Sequence, residues 1–252
     1  HSRWGSVAEL RAAFDSFSAG ARIAEFDQGS PGPAELELAV PGRHNVLNAR
    51  AALAAIELAG LDVEGSAAAL AAFPGVRRRL ELKGRRGGVS IYDDYAHHPT
   101  EVRAALQALR ELEPDRLVAV FQPHLYSRTK ALAEQFGAAL ALADEVAVLD
   151  VYPAREEPVG ELAGVSGLRV AQAAAERMGG RRVWWLPEAE RARPALVDLL
   201  DGNEALGFRD QVLVTLGAGD VYRLGEALVE TIAVPYAPQG DQKAHRNSEG
   251  EG

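Results

Sequence analysis

Gly88-Val89-Ser90-Ile91-Tyr92-Asp93-Asp94-Tyr95-Ala96-His97-His98-Pro99 runs from a short β-type segment into a polar turn. Behind the turn Val102, Ala105, Leu106, Leu109 and Leu112 recur at helical spacing. Pro99 suits a first helical position, and Thr100 can cap the helix. A strand that feeds a helix in this way is the repeating unit of an open α/β sheet. In such sheets ligands bind beyond the carboxyl ends of the strands. Two carboxylates, a phenol and two imidazoles occupy this one turn, which is more ionisable chemistry than capping requires.

Downstream the same alternation continues. Strands are predicted at 79–83, 88–92, 117–121, 145–150, 183–186 and 211–216, and helices at 100–112, 127–142, 168–178, 188–201 and 219–232. Repeated strand-then-helix order predicts an α/β fold with a doubly wound, mostly parallel sheet. Upstream, residues 6–17 predict a helix with Val7, Leu10, Phe14 and Phe17 on one face. Residues 18–34 read as loop with at most one strand. The alternation of Glu35-Leu36-Glu37-Leu38-Ala39-Val40 predicts a half-buried strand. Helices follow at 49–59 and 65–72, and Phe73-Pro74-Gly75 breaks the pattern. The boundaries expected are 1–76, 77–233 and a disordered polar tail at 234–252.

The chain has 252 residues, 47% of them hydrophobic, with a net charge of −9 and no cysteine. That supports a sizeable core and excludes disulfides and thiolate metal sites. The acidic balance argues against nucleic acid or an anionic membrane as the main partner. No apolar run approaches a membrane span, so a cytoplasmic protein is expected. The chain opens at His1 rather than Met and reads as a piece of something longer.

Other stretches carry chemistry. Gly42-Arg43-His44-Asn45-Val46-Leu47-Asn48 enters an Ala-rich helix, with His44 and Asn48 on one face. Asn45 can serve as an N-cap, or the three polar residues can read a planar group such as a purine edge. Arg77-Arg78-Arg79 is either a solvated face or a phosphate-holding cluster. Gln122-Pro123-His124-Leu125-Tyr126-Ser127-Arg128-Thr129 follows the buried strand 117–121 and lies on the same rim as the opening turn. His124 and Arg128 there suit an anionic substrate, and Ser127 can cap the next helix. Residues 154–167 form a long charged loop, a lid or simply a mobile segment. Gly217-Ala218-Gly219-Asp220 fails as a dinucleotide fingerprint because Tyr222 stands where a third glycine belongs, and reads as a tight strand–helix turn. No GxxxxGK[ST] loop occurs, and no metal site is expected, since adjacent His97 and His98 rarely point to one ion.

Together these motifs resemble the Mur ligases of bacterial peptidoglycan synthesis. The matching segments are Gly42 to Ala49, Arg78-Arg79, Asp93 to Glu101, Phe121 to Thr129, Asp150-Val151-Tyr152-Pro153 and Gly217 to Asp220, in the family's order. The forms Tyr95-Ala96-His97-His98-Pro99-Thr100 and Phe121-Gln122-Pro123-His124 resemble the alanine-adding members. The resemblance implies a Rossmann-like ligase domain at 77–233, preceded by a remnant of the family's central ATPase domain. It implies ATP-dependent joining of L-alanine to UDP-N-acetylmuramate through an acyl phosphate, with ATP and Mg. It further implies that His44, Asn45 and Asn48 hold adenine, and that Arg79 and Asp94 reach ribose and phosphates. Tyr95, His97, His98, His124 and Arg128 would surround the muramyl carboxylate and the alanine, with His97 and Arg128 catalytic.

The sequence departs from the family pattern in two ways. Leu125 stands where the family often has Arg. The UDP-binding domain, the phosphate loop and the Mg-binding Glu lie outside these residues, so most Mg ligands and the missing N-terminal part would be partners of this chain. Two rival readings remain: a fragment that binds nucleotide or a partner without chemistry of its own, and a metal-dependent hydrolase built on Asp93, Asp94, His97 and His98.

Overall fold

The structure, a computed structural model, describes residues 6–21, 36–201 and 210–231. It divides into two compact units, His1–Pro74 and Gly75–Gly252. The predicted tail at 234–252, Glu35 and nearly all of the 18–34 loop lie outside the described residues.

In the first unit α1 spans Val7–Ser18, α2 Arg43–Leu58 and α3 Val63–Ala71. Ser6 caps α1 and Asp62 caps α3, each with its side-chain oxygen on a free backbone N–H. On α1 Val7, Phe14 and Phe17 are exposed, Phe17 to 88%, and Leu10 is half-buried. On α2 Ala49 and Leu53 are buried. The strand predicted at 35–40 does not form over its described part. Leu36 to Val40 do alternate in exposure, as the pattern requires, but among the described residues no neighbouring strand supplies a ladder. The helix predicted from Ala49 starts six residues earlier, at Arg43.

The second unit carries a six-stranded sheet in the order β1-β2-β6-β3-β4-β5. Its strands are β1 Glu81–Arg86, β2 Val89–Asp94, β3 Arg116–Phe121, β4 Glu145–Val148, β5 Val183–Trp185 and β6 Gln211–Leu216. All neighbours pair in parallel except β1, which returns antiparallel on β2. Gly87 and Gly88, at φ 53 and 74, make that hairpin turn. The strand predicted at 79–83 begins only at Glu81, because Arg78 and Leu80 adopt φ 60 and 46, outside the β region.

The helices are α4 Pro99–Arg110, α5 Tyr126–Leu140, α6 Leu168–Ala175, α7 Ala189–Asp201 and α8 Tyr222–Thr231. The central strands are apolar at successive positions because both faces are covered. Tyr92, Ala119, Phe121, Val148 and Val214 face the layer of α4, α5 and α6. Ile91, Val118, Val120 and Leu213 face α7 and α8. Each fully buried Leu or Phe contributes roughly 1.5–3 kcal/mol.

β6 enters last, between β2 and β3. The helix after β6 lies on one face, and those after β2 and β3 lie on the other. This is a topological switch, and it splays the carboxyl-edge loops apart. The amino edge is closed differently. Arg116, 2% exposed, donates Nε to Glu145 at 2.8 Å and Nη1 to Gln211 at 2.9 Å, tying β3, β4 and β6 together.

Candidate active site

Asp93 and Asp94 end β2 with side chains on opposite faces, and both are buried. Asp93 accepts from Thr215 Oγ1 at 2.6 Å and from Arg78 Nε at 3.0 Å. Burial pushes its carboxyl above the usual range, against the pull of Thr215 and Arg78. Arg78 also donates Nη2 to Gly217 O at 2.7 Å, and its guanidinium lies 4.9 Å from the Tyr95 ring and 4.6 Å from the Tyr222 ring. One side chain thus fastens the β1 entry, β2 and the loop after β6.

Asp94 accepts from Leu80 N at 2.8 Å and from Ala96 N at 2.7 Å. The second bond is an Asx turn that bends the chain out of β2. Burial raises this carboxyl to about 6, although the two amides and Arg79 oppose it. Asp94 therefore shapes the loop, and each of its oxygens keeps only the lone pair that the backbone leaves. Arg79 is exposed, with its guanidinium 5.9 Å from the Tyr95 ring.

The turn then feeds α4, whose N-cap is His98 rather than Thr100. His98 Nδ1 accepts from Thr100 N, and Glu101 Oε2 accepts from His97 N at 3.0 Å and His98 N at 3.2 Å, a capping box with Pro99 behind it. A Thr at 100 is already inside the helix and cannot serve its first amides. His98 is exposed and engaged in this cap.

His97, by contrast, meets the loop after β3. Its ring lies 5.3 Å from Tyr95 and 6.1 Å from His124, and Arg128 Nη1 donates to His97 O at 3.4 Å. His97, His124, Arg128 and Tyr95 therefore share one corner of the carboxyl edge. His124 stacks on Tyr152 at 5.7 Å with rings 12° apart. Burial, then the charges of Arg128 and His97, push the His124 imidazole below its ordinary value, so it stays neutral near pH 7. Arg128 gives the corner its positive charge.

α5 begins after Leu125, at φ 70 and ψ 131, with no cap from Leu125 itself. The cap comes from the long loop. Glu156 accepts from Ser127 N at 2.9 Å and from Ser127 Oγ. Ser127 is thus a donor to a cap and not the cap predicted. Burial works to raise the Glu156 carboxyl, but the hydrogen bonds of Ser127 and Tyr126 and the charge of Arg155 outweigh it and hold it low. Lys130 Nζ donates to Glu161 O at 2.9 Å, and Asp150 accepts from Gly167 N at 2.7 Å, so the 154–167 loop is strapped along α5.

Gln122 joins the edge loops, donating to Asp220 Oδ1 at 2.9 Å and accepting from Val221 N at 3.2 Å. A Cβ on Gly219 would lie 2.4 Å from Gln122 Oε1, and one on Gly217 would lie 2.7 Å from Gln122 O. The glycines serve this close approach, in keeping with a tight turn and not a phosphate fingerprint.

In the first unit His44, Asn45 and Asn48 lie in the first two turns of α2. Gly42, at φ 102, is the N-cap residue, and Asn45 sits inside, donating Nδ2 to Pro41 O at 2.7 Å. Asn45 is therefore not the cap predicted. Asn48 is exposed.

Sequence reasoning placed Arg78 only in a basic cluster and Glu101 and Tyr152 only in matching segments, with no role of their own, and did not single out Glu156. Glu101 was findable as the fourth position of a capping box. Glu156 acts on a residue 29 positions away and leaves no local signal. No three His, Asp or Glu side chains converge on a metal position among the described residues. Asp93, Asp94, His97 and His98 diverge, against the hydrolase reading.

A family model described as Mur ligase, glutamate ligase domain, matches residues 78–219. UDP-N-acetylmuramate–L-alanine ligase of Mycolicibacterium vanbaalenii is 50% identical over 79% of this chain and 40% of its own length. The protein of that name from Rhodococcus jostii is 41% identical over 92% of this chain and 50% of its own. Among solved structures, UDP-N-acetylmuramate-alanine ligase of Thermotoga maritima matches with a TM-score of 0.57 at 29% identity, over 84% of this chain and 40% of that one. Folylpolyglutamate synthase of Mycobacterium tuberculosis, complexed with ADP, matches at 0.60 and 25% identity, over 88% and 52%. The chain spans about 40–50% of the length of these curated relatives.

Proposed function

This chain belongs to the Mur ligase family, and we propose that it forms part of a cytoplasmic ligase that joins L-alanine to UDP-N-acetylmuramate with ATP. The relatives that carry that name support the substrates. The observation that carries the chemistry is the corner of His97, His124 and Arg128 at the carboxyl edge. An anionic acyl phosphate needs fixed positive charge and N–H donors in a place that excludes bulk water. Arg128 supplies the charge. A neutral imidazole can accept the proton that an ammonium must lose before its nitrogen attacks.

In this reading residues 1–76 belong to the central ATPase domain and residues 77–233 form the ligase domain. Arg128 and His124 bind the activated carboxylate, while Tyr95 and His97 border the alanine. His98 acts on this corner through the cap. His44, Asn45 and Asn48 present an amide-and-imidazole face suited to adenine. Arg79 is the exposed cation for ribose or phosphate, on a turn shaped by Asp94. Mg bound with ATP neutralises phosphate charge. The described residues offer no converging ligand set for it, and no step here passes through it. Among the described residues no helix is long and apolar enough to cross a membrane.

The test is phosphate release by the full-length protein given UDP-N-acetylmuramate, ATP, Mg and single amino acids. Release that depends on L-alanine and yields the alanyl amide is expected. Amino-acid-independent release, or a clear preference for a larger amino acid, would reject the assignment.

A further inference from the structure

The two imidazoles of the corner have different surroundings at Nδ1. His97 Nδ1 lies 3.0 Å from Tyr95 O and 3.4 Å from Glu101 Oε2. Both are acceptors, so Nδ1 must carry the hydrogen. In the neutral ring that leaves Nε2 with a bare lone pair. Glu101 is itself held by the amides of His97 and His98 and cannot turn away. A carboxylate behind an imidazole orients the ring and strengthens its far nitrogen as a base.

At His124 the order is reversed. Nδ1 is buried and has no hydrogen-bond partner among the described residues. A hydrogen there would be a buried, unsatisfied donor, which proteins avoid more strictly than an unsatisfied acceptor. The hydrogen therefore belongs on Nε2, the only ring nitrogen a ligand can reach. The stacked Tyr152 ring fixes the plane. Leu125 N donates to Tyr152 O at 3.0 Å and Tyr152 N to Pro123 O at 2.8 Å, locking the backbone on both sides of His124.

We infer that these imidazoles are held in opposite tautomers, His97 offering Nε2 as a proton acceptor and His124 offering Nε2–H as a hydrogen-bond donor. On the ligase reading, which this assignment deepens, they divide one reaction. His97 Nε2 takes a proton from the ammonium of the incoming amino acid. The freed lone pair forms the C–N bond at the acyl phosphate carbon, and the carbonyl π pair moves onto oxygen. His124 Nε2–H and the positive charge of Arg128 stabilise that oxyanion. The pair returns, the C–O bond to phosphate breaks, and phosphate leaves with the bonding pair and the second nitrogen proton. The lowered proton affinity of His124 is consistent with a donor that stays neutral throughout.

Ring nitrogens of the ¹⁵N-labelled 252-residue chain, correlated to the ring carbon-bound hydrogens through long-range couplings above pH 8, report each tautomer directly. His97→Gln and His124→Gln assign the signals. The expected pattern is Nδ1–H for His97 and Nε2–H for His124. The same tautomer in both rings, or the reverse pattern, overturns the inference whatever the protein catalyses. In the full-length protein His124→Ala should lower turnover by ~10²-fold, the scale of one oxyanion donor. His124→Gln, with an amide N–H near the place of Nε2, should recover most of that loss. His97→Gln should recover nothing relative to His97→Ala, because an amide takes up no proton. Equal rescue at both positions would overturn the division of roles. A wild-type protein without ligation would remove the ligase reading but leave the tautomer result standing.

Discussion

At Arg78 the guanidinium is engaged within the protein, on Asp93, on Gly217 O and between two tyrosine rings, while Arg79 stays exposed. Such differences decide what substitution does at each position. Among the described residues Arg128 has a single long bond, to His97 O, which leaves its charge available. In the full-length protein Arg128→Ala should lower turnover by at least ~10²-fold, as loss of one charge-stabilising donor does. Turnover near that of the wild type would return Arg128 to an ordinary surface role. Asp94 illustrates the opposite case, a charge that folding disfavours. Its carboxyl is raised from 3.8 to about 6, so the folded chain holds this proton more tightly than the unfolded chain. That contribution to stability is complete below pH 4 and is lost as pH rises through about 6. The shift corresponds to roughly 3 kcal/mol. Asp94→Asn does not titrate. The stability of wild type minus variant should therefore fall by about that amount between about pH 3 and 7, then level off. Urea unfolding across this range measures it, and parallel curves for the two proteins would refute the raised proton affinity.

At the level of elements, α5 positions Arg128 and leans on α6 almost backbone to backbone. A Cβ on Gly137 would stand 2.4 Å from Ala173 C and 2.6 Å from Ala173 O. Gly137→Ala gains helix propensity but must push the two helices apart. Overpacking of this kind costs roughly 1–3 kcal/mol. For a unit of this size that is a melting-temperature loss of about 2–4 °C per kcal/mol. A variant that melts at or above the wild-type temperature would show that the contact yields freely. The strands and helices of this unit were legible because burial on both sheet faces writes long apolar runs into β3 and β6. Helix ends were not. Gly42 and His98 stand at the N-caps of α2 and α4 in place of the Asn45 and Thr100 that local preference selects, and α5 is capped by Glu156 from another loop. Leu36 to Val40 show that alternation alone is not a strand where, among the described residues, no partner supplies hydrogen bonds. At the corner, the position of two polar turns after core strands marked the rim, and the family resemblance singled out His97, His124 and Arg128. The role of Tyr152 became visible only in three dimensions, because its stacking on His124 depends on the fold, whereas Glu101 is readable as the fourth position of a capping box.

The whole chain holds a closed amino edge, locked by Arg116, Glu145 and Gln211, and a chemically equipped carboxyl edge. Phosphoryl transfer, however, depends mainly on positioning and charge neutralisation around the phosphates. Its usual means are a backbone N–H cradle with a Lys and a metal held by protein carboxylate. Residues 1–252 contain no GxxxxGK[ST] segment, and the described residues show no converging metal ligands. The 252-residue chain alone should therefore show no alanine-dependent ADP formation, and its affinity for ATP should be weak. A protein extended to the full length of its relatives should restore both, and so should a separately supplied amino-terminal part. The measurement is ADP release with UDP-N-acetylmuramate, L-alanine, ATP and Mg, with and without that part. Alanine-dependent ADP from the 252-residue chain alone would mean that it builds a phosphate site from other residues, and would overturn the division of labour argued here.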